Sequence, residues 1–164
     1  MIHMNVNLEP LVRIQLQRGY ERVQKCLADL SEDEARRAPL PRLAPVVWQV
    51  GHLAFYDSVF AQRAGLSYSA PPGFEQLFKA GTGGPADYPS LGQVWEAFDR
   101  GHSTLVEAAG SADLMRRVEG PMYANVGEML IYASVHRGYH IGKMTTLRAL
   151  LNKPILFGAP PPKA

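Results

Sequence analysis

Two histidines in the C-terminal half of the chain have the spacing of a metal-binding pair. His136 and His140 lie four residues apart in the segment HRGYH. In an α-helix this spacing rotates the second residue by only about 40° and raises it by about 6 Å, so both imidazoles lie over one patch of helix surface. One ion could bind both rings at about 2.1 Å, but the third ligand has to come from another element.

His52 is the natural candidate for that third ligand. It lies between Trp48 and Tyr56 on one face of the most apolar segment of the chain. A protonated histidine is costly to bury there, whereas a neutral histidine bound to a metal is not. Two simpler interpretations stay open. The i,i+4 pair would arise by chance in about one such sequence in seven, and a lone histidine on an apolar face is more often a hydrogen-bonded core residue.

Two tyrosines are candidates for orienting the ligands. Tyr56 and Tyr132 each lie four residues from a proposed ligand and could position an imidazole or a bound water. Tyrosine at helical spacing is more often a core residue, and that alternative stays open.

The other histidines, the cysteine and the nearest acids are expected to lie outside the site. His102 is assigned to a polar helix face, Cys26 to the core and His3 to a terminal tail. Asp57 and Glu128 are interpreted as solvated or capping residues and not as general bases.

Four long amphipathic helices are expected to position these residues. Apolar residues recur at spacings of three and four over residues 6–30, 46–64, 90–109 and 125–151. No convincing strand pattern occurs, which favours the all-α class and a four-helix bundle. We expect one domain over residues 1–164, with a loose proline-rich tail at 158–164.

The link between the second and third helices is unusually long. Residues 66–89 are rich in proline and glycine and read as a connection with one helical turn near residues 74–79. Such a link is explained if the two helices run parallel, because the chain must then travel back about 30 Å for a helix of twenty residues.

Composition excludes several classes of protein. Hydrophobic residues make up 46% and charged residues 20% of the 164 residues, and the formal net charge is only +2. A dense basic stripe for nucleic acid and an apolar run long enough for a membrane span are both missing from the sequence. One cysteine and the lack of a secretory signal pattern predict a soluble cytoplasmic protein.

The order of motifs resembles the DinB-like superfamily of metal-dependent four-helix-bundle proteins. The motifs are VGHLAFYD on the second helix, the long link, YPS before the third helix, and NVGEMLIYASVHRGYHIGKM on the fourth. The resemblance implies up-down-down-up topology, a frequent homodimer, and one divalent metal held by a histidine of the second helix and an HxxxH pair of the fourth. Those positions are His52, His136 and His140.

The chain departs from the family pattern at two positions. Many members have an acidic residue after the first histidine of the pair and a glutamine three residues beyond the second, where this chain has Arg137 and Lys143. Metal binding is expected to survive, whereas a substrate or thiol contact inferred from those positions is not carried over.

An open site with three histidines is typical of metal sites that perform chemistry. Zinc or nickel is the first candidate metal, with iron or manganese as alternatives. The leading hypothesis is a hydrolase or a thiol S-transferase that acts on a small molecule. The low-molecular-weight thiol, as a second cofactor, is implied by the resemblance, because characterised members of the superfamily include thiol-dependent isomerases and S-transferases. The alternative is a non-catalytic stress-response bundle that binds a metal or ligand and in which the metal braces the fold. A plain helical interaction module is a third option.

Overall fold

The structure is a computed structural model that describes residues 7–158, and helices are its main elements. The four long ones are α1 (Glu9–Leu27), α3 (Val46–Ala64), α5 (Leu91–Ser111) and α6 (Val126–Leu150), and the two short ones are α2 (Glu32–Arg36) and α4 (Phe74–Phe78). Within the described range there is no strand, and one isolated antiparallel bridge joins Arg117 and Asn125. The all-α class predicted from the sequence is therefore confirmed. The expected tail lies outside the described residues beyond Gly158, as does His3.

Side-chain caps begin three of these helices. Ser31 and Ser90 each form a complete capping box with the residue three positions on, and the Asn125 side chain accepts a hydrogen bond from the amide of Glu128. Gly65 ends α3 with a positive φ of 98°, a conformation that glycine adopts without strain.

Three helix boundaries differ by two or three residues from the prediction. α1 begins at Glu9 and not at residue 6. Pro10 then lies in the first turn, where the backbone N–H that proline lacks would have no partner within the helix. It ends at Leu27, three residues early, and the amide of Leu30 then bonds to the Leu27 carbonyl in a turn. α5 continues to Ser111.

α3 is the central element of the fold. Fourteen of its 19 residues are buried, which agrees with a helix that is apolar around most of its circumference. It packs against α5, α6 and both short helices, while α1 packs mainly against α6. None of the helices in residues 7–158 is long and apolar enough to cross a membrane.

The buried apolar residues form two clusters. One combines the first half of α3 with the first half of α5 and the later parts of α1 and α6, and includes Val50, Phe98 and Met144. The other combines the second half of α3 with the second half of α5 and the earlier parts of α1 and α6, and includes Phe60 and Leu130. Several buried polar residues lie between the two clusters along their helices: Asp57 and Ser58 of α3, His102 of α5, and Arg137 and His140 of α6.

The close approach of α4 to α3 depends on Gly51. A Cβ atom at this position would lie 2.3 Å from Cε1 of Phe78, whose ring is fully buried. Glycine therefore lets α4 lie directly against α3, next to His52.

We predict that Gly51→Ala lowers the free energy of unfolding by about 1–3 kcal/mol, because the buried Phe78 ring has to move. Gly138→Ala is the matched control. Gly138 is exposed in the middle of α6, and no atom lies within 4 Å of an added Cβ. This substitution should raise the free energy of unfolding by about 0.5–1 kcal/mol. Urea unfolding measures both, and equal effects of the two variants would contradict the packing argument.

Candidate metal centre

Three histidines from two helices meet at one point. His52 comes from the middle of α3, and His136 and His140 come from successive turns of α6. The Nε2 atom of His136 lies 3.2 Å from Nε2 of His52 and 3.1 Å from Nε2 of His140. Candidate ligand atoms of the three residues all lie within 4.8 Å of one another. The structure thus brings together all three of the ligands expected from the sequence.

Hydrogen bonds at the outer ring nitrogens fix two of the imidazoles. Nδ1 of His52 lies 2.7 Å from the carbonyl oxygen of Phe78, and Nδ1 of His140 lies 2.5 Å from Oε1 of Gln49. The Gln49 amide donates its own N–H to the Ala44 carbonyl at 2.9 Å, so its oxygen is the atom turned to His140. Because both oxygens can only accept, each Nδ1 carries the proton and each Nε2 presents a lone pair to the centre.

This arrangement of nitrogens fits a bound cation. His136 Nε2 faces two lone pairs and can donate a proton to only one of them, so one repulsive contact persists without a positive ion. Four-coordinate metal–nitrogen bonds of about 2.1 Å place ligand nitrogens about 3.4 Å apart, close to the observed 3.1 and 3.2 Å. Nδ1 of His136 is buried without a hydrogen-bond partner among the described residues.

The three imidazoles are held in the neutral form that binds metals. Burial lowers the pKa of His52 to about 4, that of His136 to about 4 and that of His140 to about 2. After burial, the neighbouring imidazoles lower the pKa of His136 and His140 further, and the positive charge of Lys143 lowers the pKa of all three. The cluster found in residues 7–158 consists of histidines alone, without a carboxylate.

Aromatic rings surround the centre. Trp48 stacks on His52 with 4.6 Å between ring centroids, and Tyr56 lies against the same imidazole at 4.7 Å. Tyr132 lies parallel to His136 at 6.1 Å. The Tyr56 hydroxyl accepts a hydrogen bond from the backbone amide of Ala80. Both tyrosines proposed from the sequence therefore lie next to the ring of a candidate ligand, Tyr56 next to His52 and Tyr132 next to His136.

Sequence reasoning missed the groups that hydrogen-bond to the histidines. Gln49 carried a signal, since it is the one polar residue in the run VVWQV at the start of α3. The Phe78 carbonyl carried none, because a backbone oxygen on a linking segment has no side-chain pattern to reveal it.

The centre opens into a cavity of about 520 Å³. Its walls come from α3, α6 and the linking segment at Ala80 and Gly81. A second cavity, of about 820 Å³, shares Trp48, Gly81 and Lys143 with the first. The histidines are thus reached from outside by a cleft large enough for a small molecule.

A buried ion pair lies one residue away from the centre. Arg137 Nη2 lies 2.6 Å from Oδ2 of Asp57, and Nη1 donates to the Leu16 carbonyl and lies 3.2 Å from Nδ1 of His102. The expectations of a solvated or capping Asp57 and of a polar face at His102 were wrong, since only 1% and 6% of these residues are exposed. Arg137 contacts both Asp57 and His102 and so offsets the free-energy cost of burying them.

Two other expectations are met. Cys26 is fully buried in the core, where burial raises the pKa of its thiol to about 11. Glu128 is bonded to the backbone amide of Ala124 just before α6 and so acts at the helix terminus.

The fold and the geometry define the class of the protein. It is an all-helical protein with a histidine centre between two long helices. The family model of the DinB superfamily matches residues 15–144, a range that contains all three histidines. The chain belongs to the DinB superfamily, and the resemblance seen in its sequence is confirmed.

Solved structures agree on the fold. The chain is similar to a protein described as "conserved protein of locus from Enterococcus faecalis", with 16% identity, a TM-score of 0.65, and coverage of 88% of this chain and 97% of that one. At this identity the likeness concerns the fold alone. No curated protein matches the chain.

The lowered histidine pKa values predict how the metal-free protein responds to acid. Histidine in the unfolded chain titrates near 6.5, whereas burial keeps His52 and His136 neutral down to about pH 4. Between these pH values the unfolded chain binds more protons, so the free energy of unfolding should fall as the pH is lowered from 6.5 towards 4.

Urea unfolding of the chelator-treated protein at several pH values tests this dependence. His136→Gln removes one group with a lowered pKa, so its slope against pH should be smaller by up to about one proton. A parent protein with pH-independent stability over this window, or a variant with the parent's slope, would contradict the prediction.

Proposed function

We propose that the chain binds one divalent metal ion through His52, His136 and His140. With this ion it acts as a metal-dependent enzyme, either a thiol S-transferase or a hydrolase. The observation that carries the proposal is the convergence of three Nε2 atoms, two of them with tautomers fixed by carbonyl oxygens. Zinc or nickel suits three imidazoles, with iron or manganese as alternatives.

The open side of the histidine cluster supports chemistry over a closed structural site. Three nitrogen ligands leave at least one coordination position, and a cavity of about 520 Å³ leads to it. When bound, the ion would lower the pKa of a thiol or water at that position and so make it a nucleophile at neutral pH.

The chain's own residues have distinct roles in this proposal. Gln49 and the Phe78 carbonyl hold two imidazoles in the tautomer that presents Nε2, as hydrogen-bonding partners of metal-binding histidines do. Trp48 and Tyr132 cover ligand rings and exclude water from one side of the centre. Among residues 7–158 no carboxylate belongs to the cluster, so no negatively charged ligand from these residues would offset the charge of the ion.

We also propose the up-down-down-up topology. It is supported by the two apolar clusters, because the first half of α3 lies with the first half of α5 but with the second halves of α1 and α6. Parallel α3 and α5 would also account for the long segment between them. The homodimer, the cytoplasmic location and the stress-response role stay predictions.

A non-catalytic role is the rival function, and the position of the histidines favours it as well. His52 belongs to α3 while His136 and His140 belong to α6, so an ion would tie two long helices together. It would bind the folded chain only and would stabilise it by mass action.

The first test is metal content. We expect the purified protein to hold about one metal ion per chain and His136→Ala to lose it. His102→Gln is the matched control, because His102 is a buried histidine outside the cluster, and this variant should keep the metal. Elemental analysis measures the metal content per chain of all three proteins. Equal metal content in His136→Ala and the parent would refute the site.

Chelation separates the enzyme from the brace. For an enzyme, the chelated protein should stay folded, and added metal should restore the thiol-dependent conjugation of an electrophile such as 1-chloro-2,4-dinitrobenzene or the hydrolysis of an ester. For a brace, chelation should lower the melting temperature by more than about 10 °C, and turnover should be missing with and without metal. Scanning calorimetry and an absorbance assay on the same samples provide both readings.

A further inference from the structure

We propose that the molecule bound beside the histidine centre carries a carboxylate group, and that Lys143 binds this group. The inference rests on the proposed function, since it concerns the occupant of the same cavity. It extends that function by naming the substrate class, a small organic acid.

The position of Lys143 places its charge beside the histidines. It follows His140 by three residues on α6, which is about 4.5 Å along the helix axis and close to the same face. The side chain is half-buried, and Nζ lies 4.3 Å from the centroid of the Tyr139 ring. Lys143 also lines both cavities, so it lies where the centre's cavity joins the larger one.

The charges around the two cavities are of one sign. Within residues 7–158, the smaller cavity is lined by Lys143 and by no aspartate or glutamate, and the larger adds Arg36 and Arg42 without an acidic residue. Arg36 is already paired with Glu32 at 2.6 Å. Lys143 has no carboxylate within 4.0 Å in the described part of the chain.

An unpaired ammonium in a cleft without acids favours an anionic ligand. The cluster found in residues 7–158 consists of imidazoles without a carboxylate, so nothing in the centre balances the charge of Lys143, and a metal ion would add to the positive charge. Walls of low dielectric strengthen the attraction of such a cleft for negative charge. One ammonium group matches the single charge of a carboxylate.

The shape of the cleft defines the rest of the ligand. A reactive sulfur or carbonyl end would lie at the histidines, and the acid group would lie at Lys143. The remainder would extend into the larger cavity, which offers apolar surface from Leu40, Leu43 and Trp48. Together the two cavities have the size and mixed lining of small-molecule sites.

The test compares two thiols that differ only in charge. Cobalt(II)-loaded protein is titrated with 3-mercaptopropionate and with 3-mercaptopropionamide, and the thiolate–cobalt absorption band gives both dissociation constants. We expect the parent to prefer the acid. Lys143→Gln should weaken binding of the acid by about fivefold and leave binding of the amide unchanged, whereas Lys143→Arg should keep the preference.

The control is Lys25→Gln, which removes the same charge from an exposed position on α1 and should behave as the parent. If the ratio of the two dissociation constants is the same in Lys143→Gln and the parent, any acid preference comes from elsewhere and this inference is overturned while the metal site stands. If the parent binds no cobalt, the proposed function fails and this inference fails with it.

Discussion

The buried ion pair between Asp57 of α3 and Arg137 of α6 is the interaction on which the centre depends. Two ions removed from water are tolerated only when they are paired, and a mismatch of one turn would leave both unpaired. Arg137 is paired with Asp57 and bonded to the Leu16 carbonyl, and its guanidinium lies over the Phe98 ring at 5.0 Å, while its Nε is buried without a partner among the described residues. The pair therefore fixes the register between α3 and α6.

That register also sets the direction of the ligands. Successive residues on a helix differ by about 100°, so with Arg137 turned into the bundle, His136 is turned towards the cavity. His140, one turn further on, lies beneath it and reaches His52 on α3. Arg137, which stabilises the fold, and His136, which belongs to the candidate site, thus occupy adjacent positions on α6. The same packing of α3 against α6 positions both residues.

Much of the fold and of the site could be predicted from the sequence because the signals are local. Helical spacing reveals the His136 and His140 pair, and caps such as Ser90 and Asn125 mark helix starts within a residue. Interactions between distant segments could not be predicted. Asp57 and His102 look like surface residues until Arg137 is placed beside them, and the hydrogen bond that His140 donates to Gln49 joins residues 91 positions apart.

The long linking segment gains a physical explanation from the site. A connection that only returned the chain to the start of α5 would have no reason to contact α3 closely. Here Gly51 admits Phe78 against the helix, the Phe78 carbonyl holds His52, and Ala80 and Gly81 form a wall of the cavity. The segment therefore completes the hydrogen bonding of one ligand and shapes the entrance to the other two. Because the Nδ1 atom of the buried His52 is hydrogen-bonded to this segment, the position of the segment and the orientation of His52 depend on each other.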